Sequence, residues 1–434
     1  MPSIHNSLNP AYLTTDLPGI GGVIKQRHED FLVEEQPLYE PVGQGEHLYL
    51  FVEKQGLTTH DVIKKLAKAF RVRKSAIGHA GLKDKHAITR QHFSVHLPKA
   101  DEEEAFLAHL EKYKFLRVLW SARHANKLRR GHHGGNRFVI RIRNVEPTSV
   151  LTAKPILDRL AHTGIPNFLG EQRFGYRQNS HLLGQHLLRG EDQCFLDEML
   201  GRPCDQDLDT LAQGRRAYVQ GDYALALEHW PRNLPYDRQA LDALRQGKSA
   251  PQAVQSIDAN QRHFLLSAMQ SAIFNTALNM RLEQGLFDRL IPGDLAWKHE
   301  GRAVFAVDQA TAELENQPDG RVGQMAVSPS GPLWGPDMIR AQGDIDALEC
   351  EALRQHNLSV EQITAPTALN FTGNRRPGRV ALTDPDLAGG VDEHGPYVRV
   401  SFELPRGAFA TIALREIMKV ADEPESVSPN EGAS

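Results

Sequence analysis

The first third of the chain alternates short strand-type and helix-type hydrophobic patterns. Residues 20–35 and 47–54 alternate apolar and polar side chains, as a half-buried strand requires, and HLYLFVE is the clearest example. From Thr58 to about Phe70, apolar residues recur every four positions behind capping residues, which predicts a helix. Strands and helices that follow one another in this irregular order are typical of an α+β domain.

The same block continues to about residue 165. Glycines at positions 78 and 81 interrupt the pattern before a strand that ends in FSVHL, so Asp84 falls in the loop leading into that strand. The remaining predicted elements of the block are a helix at about 101–112, strands at 115–123 and 137–144, and a helix at about 148–162.

The pattern changes beyond residue 165. Residues 181–285 are mostly helical in pattern, a segment rich in Gly and Pro follows, and strand patterns return at about 378–404. This order indicates a block inserted into an α+β domain whose last strands come from the C-terminal part of the chain. We therefore predict a discontinuous domain of residues 1–165 plus 376–420, an inserted domain of residues 166–375, and a disordered acidic tail at 421–434.

Charge is concentrated in blocks that the total conceals. The 434 residues contain 50 Lys and Arg against 54 Asp and Glu, a net charge of −4, which taken alone argues against a nucleic-acid partner. Residues 63–99, however, hold ten basic side chains and a single carboxylate, Asp84, and residues 120–144 hold seven basic side chains and no acid. Two such blocks in one region favour a polyanion as the partner, although solvated basic faces are an alternative.

Several classes of protein are disfavoured. The sequence has no apolar run of the 18 or so residues that a membrane span needs, and its first thirty residues lack a secretory leader pattern. Three cysteines without a CxxC pair indicate a reducing compartment, so we expect a cytoplasmic protein. The densest histidine group, His124, His132 and His133, has no accompanying carboxylate or thiolate, so we predict no metal site.

Asp84 has the most distinctive setting of the carboxylates. Lys83 and Lys85 flank it, and opposite charges nearby favour the ionised carboxylate. An ionised carboxylate serves as a nucleophile or stabilises a cation, but it is a poor general acid. A solvated turn with compensating charges explains the same residues, so the local pattern alone leaves both interpretations open.

Five blocks of the sequence together resemble one enzyme family. The string GLKDKHAITRQHFSVHLP, which contains Asp84, closely resembles the catalytic motif of the TruD family of tRNA pseudouridine synthases. The blocks EDFLVEE, GNRFVIRIR, PNFLGEQRFG and LPRGAFATIALREIM also resemble this family and follow its order along the chain. The resemblance implies an α+β fold of the pseudouridine synthase type, with a mixed, mainly antiparallel sheet flanked by helices, and a large inserted α/β domain.

The resemblance also implies a reaction. The expected activity is the isomerisation of one uridine in tRNA, at position 13, to pseudouridine, with Asp84 as the catalytic aspartate. Attack at the ribose C1′, glycal formation there, and addition to C6 of the base stay open as routes. The reaction asks for neither a metal nor an organic cofactor, and we expect tRNA as the partner of a monomer that does not associate with membranes.

Further site residues follow from the same blocks. Phe31 and Phe409 match substrate-pocket positions of the family, and Phe138 matches an aromatic residue that lies beside the aspartate. Asn136 matches another substrate-contacting position, and Lys25 is the candidate to hold the aspartate in place. Alternation alone favours core positions for the phenylalanines, and a turn after the preceding glycines is the competing explanation for Asn136.

Two groups lie outside the catalytic motif. Lys127, Arg129 and Arg130 are predicted to contact RNA phosphates, which position an RNA without reading its sequence. The segment Gln172–Phe174 belongs to the block PNFLGEQRFG, and we assign it to the architecture at the junction with the inserted domain.

Two other functional classes compete with the synthase. A non-catalytic RNA-binding protein explains the basic blocks, but the intact GLKDKHAITRQ motif argues against it. A glycoside or nucleoside hydrolase usually needs two carboxylates about 5–9.5 Å apart. The sequence around Asp84 offers one carboxylate, which disfavours the hydrolase.

Overall fold

The chain folds into two compact units. The computed structural model describes residues 9–98, 103–204, 207–365, 369 and 371–420. The first unit comprises residues 14–165 and 380–420, and the second comprises residues 9–13 and 166–379. The predicted tail at 421–434, and residues 101–102 of the predicted helix at 101–112, lie outside the described residues.

Residues 9–13 join the second unit, whereas the sequence prediction grouped them with the first domain. The physical reason is a hydrogen bond: the backbone N–H of Ala11 donates to Asn279 Oδ1 of the second unit at 2.6 Å. The side-chain amide of Asn279 is polar, so the hydrophobic periodicity of the sequence does not reveal this contact.

Strands and helices are numbered in chain order. The strands are β1 (Phe31–Pro37), β2 (His47–Gln55), β3 (Ile77–His79), β4 (Ile88–His96), β5 (Leu116–His124), β6 (His133–Arg143), β7 (Ile165–Pro166), β8 (Leu295–Lys298), β9 (Val304–Ala306), β10 (Val327–Leu333), β11 (Asn374–Pro377), β12 (Arg379–Val380), β13 (Thr383–Asp392) and β14 (Gly395–Pro405). The helices are α1 (Thr59–Ala69), α2 (Glu103–Leu110), α3 (Val150–Thr163), α4 (Ser180–Arg189), α5 (Asp192–Leu200), α6 (Asp209–Val219), α7 (Tyr223–His229), α8 (Pro235–Arg245), α9 (Ala250–Ser256), α10 (Ala259–Glu283), α11 (Gln309–Glu315), α12 (Gly343–Gln355), α13 (Val360–Thr364) and α14 (Ala410–Met418).

A mixed sheet forms the centre of the first unit. Its strands lie in the order β13-β14-β6-β1-β4-β2-β5, and β3 pairs with β4 beside this path. β1 and β4 are parallel, whereas the other neighbouring strands are antiparallel, so the predicted mixed, mainly antiparallel sheet is present. Because Leu32 pairs with Ile88 in the parallel ladder, the segments that precede β1 and β4 meet at the same sheet edge.

Helix α1 covers one face of this sheet. Thr58 and Asp61 form a capping box at its start, each bonding to the other's backbone N–H. Val62 and Leu66 of α1 are fully buried against Phe93 of β4 and its apolar neighbours. Burial of each such side chain stabilises the fold by about 1.5–3 kcal/mol relative to its exposure. The apolar residues that recur every four positions therefore form the face of α1 that packs on the sheet.

The predicted strand at 20–35 is wrong for residues 20–30. Only β1, from Phe31, is a strand, and Val23 makes a single bridge to Arg143. Gly21 and Gly22 have φ values of 67° and 89°, and Lys25 has a φ of 58°. These left-handed conformations break the extended chain, and the resulting bend carries Lys25 away from a strand position.

Helix α10 forms the centre of the second unit. Most of its 25 residues are buried on all sides, and its apolar side chains join a core cluster with those of α4 and α12. A four-stranded sheet in the order β11-β10-β8-β9 completes the unit. The helices α4 to α10 lie where the sequence predicted a mostly helical segment, at 181–285.

Candidate active site

Asp84 lies in the loop between β3 and β4 with its carboxylate open to solvent. Its side chain is 46 % exposed, and its Oδ2 lies 3.9 Å from Nζ of Lys25, whose side chain is 20 % exposed. The two residues meet because they precede β4 and β1, which run parallel at this sheet edge. An ion pair at 3.9 Å exceeds hydrogen-bond length, so the carboxylate oxygens keep acceptor capacity for another group.

The backbone of Asp84, in contrast, is held by a buried ammonium group. Lys54 on β2 is 1 % exposed, and its Nζ donates to the carbonyl oxygens of Leu57 at 2.6 Å and Asp84 at 2.9 Å. Burial lowers the pKa of Lys54 to about 8. Sequence reasoning missed this residue, although its charge at an inward-facing position of a strand was a usable signal.

Polar side chains of α1 and β4 fix the rest of the loop. The backbone N–H of Lys83 donates to Thr59 Oγ1 at 3.1 Å, and this hydroxyl donates to Gln91 Oε1 at 3.1 Å. The amide nitrogen of Gln91 in turn donates to the carbonyl oxygen of Gly81. The loop that presents Asp84 is therefore anchored on both sides, which holds the carboxylate in one place before any substrate binds.

A buried charged network lies beside the loop. Nζ of Lys83 lies 2.9 Å from Glu35 Oε2 and donates to Asn136 Oδ1 at 2.8 Å, while the backbone N–H of His92 donates to Glu35 Oε1 at 3.1 Å. Burial alone would raise the pKa of Glu35, but hydrogen bonding from His92 and the charge of Lys83 outweigh it and lower the pKa. The Lys83 ammonium therefore forms its ion pair with Glu35, and Lys25 is the lysine that faces the Asp84 carboxylate.

Two phenylalanines line the site from β1 and β6. The rings of Phe31 and Phe138 meet edge to face with centroids 6.5 Å apart, and both are buried. Nζ of Lys25 lies 5.1 Å from the Phe31 centroid, so the same ammonium contacts an aromatic face and the Asp84 carboxylate. The structure therefore joins Lys25, Phe31, Phe138 and Asp84 through consecutive contacts.

The other predicted substrate residues occupy different positions. Asn136 is a strand residue of β6, opposite Glu35 and Leu404, so the turn interpretation of this residue is wrong. Its contact with Lys83 connects it to the Asp84 loop. Phe409 is half-buried at the N-cap of α14 and lies outside the chain of contacts described above.

The three predicted phosphate-binding residues lie in the loop between β5 and β6. Arg129 and Arg130 are exposed, whereas half-buried Lys127 donates from Nζ to the carbonyl oxygen of Ser75 at 2.5 Å. Burial, with a smaller contribution from the charge of Arg130, lowers the pKa of His79 on β3. The loop therefore places Arg130 close to the strand that leads into the Asp84 loop.

Two histidines of the dense group named above, His124 and His132, contact Tyr39. His124 stacks on Tyr39 with ring centroids 5.2 Å apart, and His132 Nδ1 lies 3.1 Å from the Tyr39 hydroxyl. Within the described residues, one group of potential metal ligands clusters within 4.8 Å, and it lies in the second unit. It consists of His186, Glu191 and Cys194, and its carboxylate already pairs with His186 and Arg189.

The helices were also predicted to include no membrane span. Within the described part of the chain, none of them combines the length and the apolar content that a bilayer crossing requires.

The fold is that of a pseudouridine synthase. A family model described as tRNA pseudouridine synthase D (TruD) matches residues 7–417. Proteins named tRNA pseudouridine synthase D from Syntrophotalea carbinolica and Geobacter sulfurreducens are both 39 % identical over 94 % of this chain, covering 98 % and 96 % of their own lengths. A protein of the same name from Thermus thermophilus is 37 % identical over 94 % of this chain and 92 % of its own length.

The chain therefore belongs to the TruD family, and the predicted enzyme class, an isomerase, is confirmed. A crystal structure from Methanosarcina mazei that carries the name tRNA pseudouridine synthase D (TruD) superposes with a TM-score of 0.82 and 26 % identity. The match covers 97 % of this chain and 98 % of that chain, which confirms the predicted fold class.

Proposed function

We propose that this chain converts the uridine at position 13 of tRNA to pseudouridine, with Asp84 as the catalytic carboxylate. Family membership supports tRNA as the substrate, and the motif around Asp84 supports the position. The observation that carries the proposal is the contrast at Asp84. Its backbone is anchored by Lys54, whereas its carboxylate is exposed and keeps free acceptor capacity beside a buried aromatic pair.

The reaction needs few groups. The N1–C1′ glycosidic bond breaks, the uracil rotates while it stays bound, a C5–C1′ bond forms, and the proton on C5 leaves. Nothing is oxidised and no group is transferred to water, so one ionised carboxylate at the ribose C1′ suffices for the sugar side of the reaction. We place Asp84 there, either as the nucleophile or as the base that promotes a glycal, in preference to addition at C6.

The uridine must leave the RNA stack to reach Asp84. Flipping costs about a few kcal/mol, and stacking on an aromatic side chain returns about 1–3 kcal/mol per base. Phe31 and Phe138 form the aromatic lining nearest to the carboxylate, and we keep Phe409 as a further wall of the pocket. Because Lys83 occupies Asn136 Oδ1, the amide N–H groups of Asn136 are the ones that face a uracil carbonyl oxygen.

Lys25 has a positioning role in this proposal. Its ammonium contacts both the Asp84 carboxylate and the Phe31 ring, so it sets the distance between the carboxylate and the aromatic wall. The proposal requires no metal, no organic cofactor and no second subunit, and it places the reaction in the cytoplasm, where tRNA is modified.

The test is conversion of unmodified tRNA transcripts by the purified protein. Pseudouridine is mapped by carbodiimide-dependent stops of reverse transcription, and we expect one stop at position 13. Asp84→Asn should lower conversion by more than about 10³-fold and leave tRNA binding within twofold. Asp158→Asn, which changes an exposed carboxylate of α3, is the matched control and should leave conversion unchanged.

Each other outcome contradicts a named part of the proposal. If no uridine is converted while tRNA binds, the chain is an RNA-binding protein without catalysis. Release of free uracil identifies a hydrolase. Conversion that survives Asp84→Asn removes Asp84 from the catalytic role, and a stop at another position refutes the assignment of the uridine.

A further inference from the structure

The segment 172–174 of the second unit holds three side chains in three different environments. Phe174 is buried and meets the ring of His181 edge to face at 5.5 Å, so it has the architectural role predicted for the whole block. Gln172 is exposed and Arg173 is half-buried. Core packing by Phe174 therefore leaves Arg173 unexplained.

The guanidinium of Arg173 lies on the surface of α10. Its Cζ is 5.2 Å from the ring centroid of Phe264, and its Nη2 donates to Ser267 Oγ. Its Nε is buried and has no hydrogen-bond partner. A guanidinium has five N–H donors and no acceptor, so a neutral hydroxyl on one nitrogen leaves most of its donor capacity unused.

Three other buried arginines of the same unit are neutralised by carboxylates. Arg215 pairs with Asp207 at 2.9 Å, Arg281 with Asp294 at 2.7 Å, and Arg375 with Glu349 at 2.6 Å. Arg173 makes no ion pair with a described residue, and burial lowers the pKa of its guanidinium. An arginine that is partly desolvated without a counterion is unfavourable by itself, which points to a counterion supplied from outside the chain.

A second cation approaches the same helix. Arg376 on β11 has its Cζ 5.7 Å from the Phe274 centroid and donates from Nη2 to Asn167 Oδ1 at 2.6 Å. Burial, and then the charge of Arg173, lower the pKa of Arg376 to about 10. Both guanidinium groups pack on aromatic rings of α10, and their like charges together create a positive potential that attracts an anion.

We propose that Arg173, with Ser267 and the aromatic shelf of Phe264, is a phosphate-binding site of the second unit that takes a backbone phosphate of the RNA. The planar fork of a guanidinium matches two phosphate oxygens, and the Ser267 hydroxyl fixes its orientation. The inference rests on the proposed function for the identity of the RNA. A free inorganic phosphate has the same chemistry, so the experiment separates the two sources.

The sharpest test supplies the missing counterion from within the chain. Ser267→Asp places a carboxylate next to the Arg173 guanidinium and should act like the carboxylates that pair with the other buried arginines. We expect Tm to rise and tRNA affinity to fall several-fold, with the log–log salt slope of binding reduced by about one. Gln213→Glu, which adds the same charge at an exposed position of α6, is the control and should change neither quantity.

A second pair of variants removes the cation. Arg173→Gln should reduce the salt slope of tRNA binding by about one, whereas Arg245→Gln should not, because Arg245 of α8 already pairs with Asp242 at 2.6 Å. If Arg173→Gln does not fold, Ser267→Asp still decides the question. Folded variants of both kinds that keep the wild-type affinity and slope would overturn the site.

The last arm compares sources and separates the two proposals. Inorganic phosphate that raises the Tm of the wild type but not of Ser267→Asp, with tRNA binding unchanged in that variant, would refute the RNA assignment. Binding is measured without turnover, so its result is independent of catalysis. A chain that makes no pseudouridine but loses salt slope in Ser267→Asp refutes the proposed function and leaves the phosphate site standing.

Discussion

Two charged sites of the first unit, at Arg143 and at Asp84, differ in whether the charged group is buried and paired or exposed. The Arg143 side chain is 3 % exposed and donates to Asp30 Oδ1 from Nε at 3.0 Å and to Asp392 Oδ1 from Nη1 at 2.6 Å. Asp84, in contrast, has a nearly half-exposed carboxylate that lies 3.9 Å from Lys25. The chain pairs the charges at Arg143, and at Asp84 it fixes the backbone while it leaves the side-chain oxygens available.

The largest effect that this comparison predicts is on stability at Arg143. Arg143→Met leaves Asp30 buried without its partner, and we expect the free energy of unfolding to fall by about 3–5 kcal/mol. The control, Arg399→Met, breaks an exposed pair with Asp386 and should cost about 1 kcal/mol or less. Urea unfolding measures both.

The comparison also predicts what Asp84→Asn does in the same assay. Because the carboxylate is exposed and outside hydrogen-bond range of Lys25, we expect its unfolding free energy to stay within about 0.5 kcal/mol of the wild type. A loss at Asp84 as large as that at Arg143 would show that both sites are structural and would remove the distinction.

Lys54 is intermediate between Arg143 and Asp84, because it is buried but, among the described residues, has no carboxylate partner within hydrogen-bond distance. Its titration is expected to have the next largest effect on the free energy of unfolding. The ammonium is buried but contacts only carbonyl oxygens, and burial lowers its pKa from 10.5 to about 8. Between about pH 8 and 10.5 the unfolded chain binds more protons at this group than the folded chain does. Wild-type stability should therefore rise with pH in this window, by up to about 3 kcal/mol from Lys54.

The measurement is urea unfolding from pH 7 to 10.5 of the wild type, Lys54→Met and Lys64→Met. The Lys54→Met curve should lack the rise, whereas Lys64→Met, which changes an exposed lysine of α1, should follow the wild type. Parallel curves for the wild type and Lys54→Met would show that the buried ammonium does not titrate in this window.

Some site residues were identified from the sequence and others were not. The two sets differ in whether their partners are close in sequence or come from other strands. Asp84 stands in a contiguous motif, and the bounds of α1 and β2 follow from local periodicity to within about two residues. Glu35 and Lys54 also lie in alternating strands, but their partners arrive through the pairing of β1, β2 and β4. No local pattern contains that pairing.

A weaker signal for these residues is nevertheless present. Glu35 has the same parity as Phe31 and Val33, which face the protein interior, and Lys54 has the same parity as Val52. A charged residue at an inward position must find a partner or shift its protonation. Lys25 and Arg173 offer no such signal. The position of Lys25 depends on a left-handed backbone bend, and Arg173 packs on α10, which is distant in sequence.

The smallest effect concerns the exposed arginines, and it extends the comparison from single groups to surfaces. Replacing Arg129 and Arg130 by Ala should weaken tRNA binding and lower the salt slope by about one unit per lost phosphate contact. The control changes exposed Arg117 and half-buried Arg399, which pair with Glu53 and Asp386. These pairs already hold their counterions, so the control should leave the slope unchanged. Equal slopes for the two double variants would mean that the β5–β6 loop lies outside the RNA-binding surface, and that exposure without a carboxylate partner is not what marks a phosphate contact in this protein.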